Sequence, residues 1–537
     1  MISQNNALQV RFADYAFVRN RLLNREEIAL LDVREEAPHA TGHPLFAANL
    51  SLSRLELDAY TKLPRKDVVV VLIDAGEGLA EAAADRLTGM GYTQVYVFRG
   101  GIAEWREAGG ELFIDVNVPS KAFGELLEAV CHTPSQPAQT VKKWLDEGED
   151  MVVVDVRRFD EYQTMNIPTS VSVPGAELVL RIPELVPNPS TKIVINCAGR
   201  TRSLIGTQSL INAGVPNEVV ALRNGTIGWT LADQTLEHGQ SRTYSEVSEE
   251  TRKQARARAR SVADRAGVKR ATLAQLQQWQ GQQGRTTYAF DVRSVQEYES
   301  GHLPGFFSIP GGQLVQETEM YAPVRGARVV VVDDDGVRAN MAASWLAQMA
   351  WDVYVLDDAP LSAFDQQGPF VRSTPPLPAG LMTVTAQRLA GWLQEEVKPL
   401  VIDASRYANY QRGHVPGACY LLRSLLESAR IALTEGQKCV LTCEDGSLSA
   451  FMAPELSKRL GQAVFVLEKG NAGWREQGLA LEKGEGIRLC EPIDRYRRPY
   501  EGTQVPKSAM QAYLDWEFGL VEQLGRDGTH HFKPLKS

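Results

Sequence analysis

Cys197 opens the segment Cys197-Ala198-Gly199-Arg200-Thr201-Arg202-Ser203, directly after the apolar run Ile193-Val194-Ile195. A thiol at the end of a buried strand, then a tight glycine-containing loop, then a helix, makes an anion-binding nucleophile site. The loop N–H groups and the helix N-terminus face the sulfur and favour negative charge there. Arg200 and Arg202 add two guanidinium groups to that field, so the thiolate is expected to be stabilised relative to the thiol. Cys443 follows another apolar strand in the same way, but its loop continues Glu444-Asp445-Gly446-Ser447-Leu448-Ser449. Leu448 stands where the first loop has Arg202, and two carboxylates flank the thiol. They are expected to raise its pKa and to repel an anionic donor.

Both loops belong to a unit that the chain presents four times. Each copy starts with an apolar strand ending in aspartate, at Asp32, Asp155, Asp291 and Asp403. Eleven residues further on stands His43, Asn166, His302 or His414, and Pro44, Pro168, Pro304 or Pro416 comes shortly after. A second apolar strand (68–73, 192–196, 329–332, 438–442) ends in a loop opening on Asp74, Cys197, Asp333 or Cys443. The spacing from the first aspartate to that residue is 42, 42, 42 and 40. Agreement at four places identifies a repeated structural unit more securely than any one motif. Helical patterns after the loops (203–213, 339–349) and a further short strand (95–98, 219–222, 353–356, 464–467) complete the alternation. This predicts an α/β fold: mostly parallel sheets flanked by helices on both faces, with sites at the carboxyl ends of strands. Gly101 to Trp105, Gly225 to Trp229 and Gly470 to Trp474 close three copies with Gly-x-x-x-Trp, whereas the third reads Asp357-Asp358-Ala359-Pro360 and is degraded there.

The 537-residue chain is 44% hydrophobic and 23% charged, ordinary for globular domains with sizeable cores. A net charge of −9 argues against nucleic-acid or anionic-membrane binding. No apolar stretch approaches membrane-helix length, and residues 1–6 lack the features of a secretory signal. Six cysteines without a paired CxxC fit a reduced, cytoplasmic protein rather than a disulfide framework. Cys131-His132 has no metal-ligand partners at zinc spacing, so no metal is expected. The charge-rich stretch 249–265 reads as a solvated linker helix. Beyond residue 486 the repeat is lost, and Tyr496, Tyr500, Tyr513, Trp516 and Phe518 suggest an arm that docks on the body or on a second subunit.

The pattern resembles the rhodanese superfamily of sulfurtransferases over nearly all of residues 1–485. Tyr410-Gln411-Arg412-Gly413-His414-Val415-Pro416-Gly417-Ala418 matches that family's N-terminal signature, and copy three keeps Tyr298 and Gly301-His302-Leu303-Pro304-Gly305. The resemblance implies four tandem rhodanese-like domains (1–116, 117–240, 269–372, 373–485), a charged helical linker (241–268) and a docking tail (486–537). It also implies a sulfur-carrying nucleophile, which maps onto Cys197 and onto Cys443. For Cys443 a weak or differently selective site and a relic stay open. Two-domain members pair an inactive N-terminal half with an active one, and Asp74, Cys197, Asp333, Cys443 looks like that pair duplicated. A carboxylate cannot hold a persulfide, so the copies with Asp74 and Asp333 are expected to be structural.

The implied activity is sulfane-sulfur transfer from thiosulfate or a related persulfide donor to cyanide or a thiol, through a Cys197 persulfide and without a cofactor. Ala198, Gly199, Arg200, Thr201, Arg202 and Ser203 would cradle the donor. Arg157 would reach the mouth of the site, or else form a salt bridge to Glu161. Four residues separate Cys197 from Arg202, the short loop of sulfurtransferases, whereas the related phosphatases and arsenate reductases use one more. A noncatalytic scaffold or sulfur carrier, and a cysteine phosphatase or arsenate reductase, are the alternatives. Because copy two has Asn166 where the others have histidine, that position is read as stabilising a turn rather than as a general base.

Overall fold

The computed structural model describes residues 10–502 and 504–536, so the reading of residues 1–6 lies outside the described residues. Four sheets appear, one per repeat. In the second, five parallel strands run in the order Ser135–Gln136, Val219–Leu222, Lys192–Asn196, Met151–Asp155, Val171–Ser172. The other three sheets repeat this order. Helices cover both faces, so the central strands are buried along their whole length and mostly apolar, as in Ile28–Asp32 and Arg328–Val332, where every residue is buried. The sequence pattern placed the three inner strands of each sheet. It missed the two-residue strand after each Pro turn and the short edge strand at the start of each copy.

The strand-end aspartate works as a clamp in three copies. Asp155 accepts a hydrogen bond from the backbone N–H of Arg157 at 3.0 Å and a two-pronged bond from its guanidinium at 2.8–3.2 Å. Asp32 with Arg34, and Asp291 with Arg293, do the same. Each arginine then reaches a carbonyl eight residues on, of Gly42, Met165 or Gly301. The first strand is thereby locked to the turn that carries His43, Asn166 or His302.

Equivalent turns join the repeats in a nested order. The turn Leu52–Arg54 of copy one faces Arg423–Leu425 of copy four, where Arg423 donates to both carboxylate oxygens of Glu56 at 2.7 and 2.9 Å. The turn Gly175–Glu177 of copy two faces helix Gly311–Gln316 of copy three, with Arg338 3.1 Å from Glu177. Each cysteine copy thus packs against an aspartate copy. The partners are two with three and four with one, however, not the sequential pairs that a simple tandem duplication suggests. Strand Val324–Arg325 of copy three also joins the sheet of copy one, antiparallel to Ile28–Asp32.

Helix Glu249–Arg265 departs from the solvated reading. Ala255, Ala259, Val262 and Ala263 form a narrow buried stripe that packs between helix Leu178–Leu185 and helix Arg338–Gln348. The arginines dominate the composition, but the small residues recur at helical spacing and allow this close approach. The tail docks on the body of the same chain. Ile487–Arg488 extends the sheet of copy four, and Leu520, Leu524 and Phe532 enter the core of copy one.

Candidate active site

Cys197 sits directly after strand Lys192–Asn196, and its loop leads into helix Thr201–Asn212. The loop's shape is imposed from below by helix Gly225–Leu231. Its first N–H groups, of Thr226 and Ile227, donate to the carbonyls of Cys197 and Ala198 at 2.9 and 3.0 Å. Gly225 makes this approach possible: its φ is +54°, and a Cβ there would lie 2.3 Å from the Cys197 carbonyl oxygen. Asn196 ties the strand end sideways by donating to Asp155 at 2.9 Å. The Cys197 thiol donates to the Ser203 hydroxyl at 3.4 Å, and that hydroxyl donates to the Arg200 carbonyl at 2.8 Å.

The arginines do not stand as expected. Arg200 turns away from the sulfur and is held by Glu125, Glu128 and Asn224, with its guanidinium 4.3 Å from the ring centre of Phe518. Arg202 makes a bidentate pair with Glu161 at 2.7 and 2.9 Å. Arg157 is committed to Asp155 and the Met165 carbonyl, so the alternative pairing with Glu161 does not form. Cys197 is 1% exposed. Burial pushes its thiol above the ordinary value, and Glu517 adds to that, against the downward pull of Arg202 and Ser203. The expected net stabilisation of the thiolate is therefore corrected. In the closed cradle desolvation outweighs guanidinium groups already neutralised by carboxylates.

The C-terminal arm covers this loop. Met510, Tyr513 and Leu514 of helix Lys507–Phe518 pack on Ile227. A Cβ on Gly199 would meet Tyr513 at 3.3 Å and Glu517 at 3.4 Å. Beside Arg202 a cavity of about 380 Å³ opens between copy two, copy three and the tail. Arg157, Arg158 and Arg202 of copy two and Arg497, Arg498 and Tyr500 of the tail line it, together with the carboxylates of Asp160, Glu161, Glu317 and Glu501.

The family model of the rhodanese-like domain matches residues 18–108, 137–232, 272–359 and 385–477, more than half of the chain. The chain belongs to the rhodanese family. It superposes with a TM-score of 0.96 on the crystal structure of a thiosulfate sulfurtransferase from Pseudomonas aeruginosa, at 56% identity over 98% of this chain and 100% of that one. It is 30% identical over 86 residues to YibN, an uncharacterised protein of Escherichia coli; the match spans 16% of this chain and 60% of YibN. It is 32% identical over 93 residues to an HTH-type transcriptional regulator of Mycobacterium tuberculosis, covering 17% of this chain and 40% of the regulator.

The second rhodanese cysteine, Cys443, is 2% exposed. Burial drives its thiol up to about 11, Asp445 adds to the rise, and the N–H and hydroxyl of Ser449 oppose it. The expected upward shift is present, with Asp445 3.7 Å from the sulfur. In the two aspartate copies the side chain fills its own cradle. Asp74 accepts from the N–H groups of Gly76 and Ala80, and Asp333 from those of Gly336 and Ala339. Asn166 donates to the Ile167 carbonyl, Ser170 and Glu237, and His302 and His414 bond tyrosine carbonyls four residues back, all turn contacts. The three repeat tryptophans are buried and each donates to a carbonyl six residues on.

Sequence reasoning offered Glu161 to Arg157 rather than to Arg202, and missed Glu125 and Glu517 as partners of the site. For Glu161 a signal existed. Copy three pairs Arg338 with Glu297 at the same positions and distances, 2.7 and 2.9 Å, while copies one and four have neither charge (Leu79 with Pro38, Leu448 with Asn409).

Proposed function

We propose that this rhodanese is a thiosulfate sulfurtransferase whose working nucleophile is Cys197. The observation that carries the reading is the Cys197 cradle, a strand-end thiol over helix-N-terminal amides with the short loop, in a chain alike over its whole length to a thiosulfate sulfurtransferase. The Cys197 thiolate attacks the outer sulfur of thiosulfate. The sulfur–sulfur bond of the donor breaks, its electron pair leaves on sulfite, and Cys197 carries a persulfide. A thiolate or cyanide then takes the terminal sulfur and restores the thiolate, which is two-step covalent catalysis with ping-pong kinetics. Cysteine sulfur carries this chemistry without metal or organic cofactor.

The cavity beside Arg202 is the entry for the dianion. Arg202 is already paired with Glu161, whereas Arg497, which donates to the Glu501 carbonyl and forms no ion pair among the described residues, can meet an anion there. Arg200 is assigned to holding the loop instead. All six cysteines are free, in keeping with a reduced, cytoplasmic setting. Among the described residues no helix is long and apolar enough to cross a membrane. Mass spectrometry after thiosulfate treatment tests the reading. One added sulfur atom on Cys197, removed by cyanide, is expected, and an unmodified Cys197 would leave the scaffold alternative standing.

A further inference from the structure

We propose that Glu517, brought to the Cys197 cradle by the C-terminal arm, is the proton-transferring group of the reaction. This inference rests on the sulfurtransferase reading above. Helix Lys507–Phe518 lies outside the four rhodanese repeats, yet it sets a carboxyl group directly against the nucleophile loop. The Glu517 oxygens are 3.4 and 4.0 Å from where a Cβ on Gly199 would stand, which puts them in van der Waals range of the loop. Glu517 is 1% exposed. Its Oε1 accepts from the Tyr513 hydroxyl at 2.8 Å, whereas Oε2 is buried with no hydrogen-bond partner. A carboxyl oxygen left unpaired at a loop that binds anions is costly, and a group arriving with substrate would satisfy it.

The groups facing Glu517 come from every element packed on it. Tyr513 lies on its own helix, Glu125 and Lys121 on helix Val118–Cys131, and Arg200 and Cys197 on the nucleophile loop. Lys121 is already paired with Asp115 at 2.8 Å, and Arg200 with Glu125 at 2.7 Å. Burial first, then Glu125, push the Glu517 carboxyl up to about 8, against Lys121, Tyr513 and Arg200. It therefore holds its proton at neutral pH and can pass it to a base of similar strength such as sulfite. A proton held on Glu517 also removes a negative charge that opposes ionisation of Cys197.

The proton balance closes over the two half-reactions. In the first, the Cys197 thiolate and thiosulfate give the Cys197 persulfide anion and sulfite. The Glu517 carboxyl gives its proton to the departing sulfite, forming hydrogensulfite and the Glu517 carboxylate. In the second, that carboxylate takes the proton of an acceptor thiol. The thiolate so formed attacks the terminal sulfur, the sulfur–sulfur bond to Cys197 Sγ breaks with its electron pair leaving on Sγ, and the Cys197 thiolate and an acceptor persulfide anion result. No oxidant or reductant enters.

The test is the pH dependence of kcat/KM for thiosulfate in wild type, Glu517→Gln and Tyr513→Phe, with Cys197→Ser as control. Wild type should give a bell bounded by the titrations of Glu517 and Cys197, because the reactive form needs the Cys197 thiolate and the Glu517 carboxyl together. Glu517→Gln should lose the limb set by Glu517 and drop at least about tenfold at pH 7. Tyr513→Phe keeps the carboxyl but removes the donor that steadies its anion, so the limb set by Glu517 should move to higher pH. A Glu517→Gln enzyme with the wild-type rate and limb overturns the inference. If that variant does not fold, an unmoved limb in Tyr513→Phe overturns it equally. Turnover that survives in Cys197→Ser would instead sink the sulfurtransferase reading of this site.

Discussion

Replacing Arg202 by leucine, as copy four has it, separates two roles of one guanidinium. The Arg202–Glu161 pair is bidentate, with side chains 17% and 23% exposed. Burial alone would raise the Glu161 carboxyl. Arg202, with help from Arg157 and Arg158, overcomes it and holds the group down at about 2, from an ordinary 4.5. That depression corresponds to roughly 3 kcal/mol of stability. Because the folded value is lowered, the contribution is present in full above the unfolded value of 4.5 and is lost as pH falls through about 2. Arg202→Leu at pH 7 should therefore cost on the order of 3 kcal/mol, because it strands a buried carboxylate. The deficit should shrink as pH falls below the ordinary carboxylate range. Arg202→Leu combined with Glu161→Asn, the copy-four pair, should regain most of the stability. It should not restore Cys197, since Arg202 is the strongest group pulling that thiol's pKa down. Urea midpoints at several pH values measure the first effect, and the pH profile of Cys197 alkylation by iodoacetamide measures the second. A double variant with wild-type alkylation would refute the electrostatic role, and a single variant as stable as wild type at pH 7 would refute the structural one.

Three further expectations follow from the same geometry. Cys197→Ser should abolish thiosulfate:cyanide transfer while Cys443→Ser spares most of it; equal losses in steady-state assays would reverse the ranking of the two loops. Gly225→Ala forces a Cβ to 2.3 Å from the Cys197 carbonyl at φ +54°, so the loop must move. A stability loss of about 2–4 kcal/mol and a drop in turnover of about a hundredfold are expected, and normal kinetics would show that the loop is not set by that helix. Asp445→Asn should lower the Cys443 thiol from about 11 and speed its alkylation in alkaline solution, whereas an unchanged rate would mean burial alone silences it.

The repeat, the sheet class and the two thiol loops were legible because each rests on local pattern: apolar runs, a fixed period and glycine placement. The fate of the arginines was not. A guanidinium beside a cysteine reads as catalytic until its carboxylate partner is found, and Glu125 lies 75 residues from Arg200. The both-or-neither pairing of positions 161 and 202 across the four copies was available in the sequence, but it becomes meaningful only once the repeats are aligned as structures. The strand-end clamp Asp155–Arg157 was equally visible, and it lost out because an arginine near a site invites a ligand before it invites a neighbour. The linker helix was misjudged for a different reason. Its arginines set the composition, but four small apolar residues on one face set the packing. The arm was expected to dock, yet nothing in its aromatic content says that a glutamate on it meets residue 199.

The four loops also explain why this fold keeps aspartate copies beside cysteine copies. A loop whose N–H groups converge on one point is unfavourable when buried and empty, because those donors lose water and gain nothing. Asp74 and Asp333 solve this with their own carboxylates, bonding the loop amides at 2.8–3.1 Å. Cys197 and Cys443 do so only weakly, the Ser449 N–H reaching the Cys443 sulfur at 3.5 Å, since a neutral thiol is a weak acceptor, and so their cradles remain available for an added sulfur. The self-filled units carry that cost for the others through the paired turns: Glu177 of the Cys197 unit is held by Arg338, which is anchored in the Asp333 loop by Asp335 at 2.6 Å. An aspartate loop is thus a finished version of the same cradle, and its stability supports the neighbour whose cradle has to stay open.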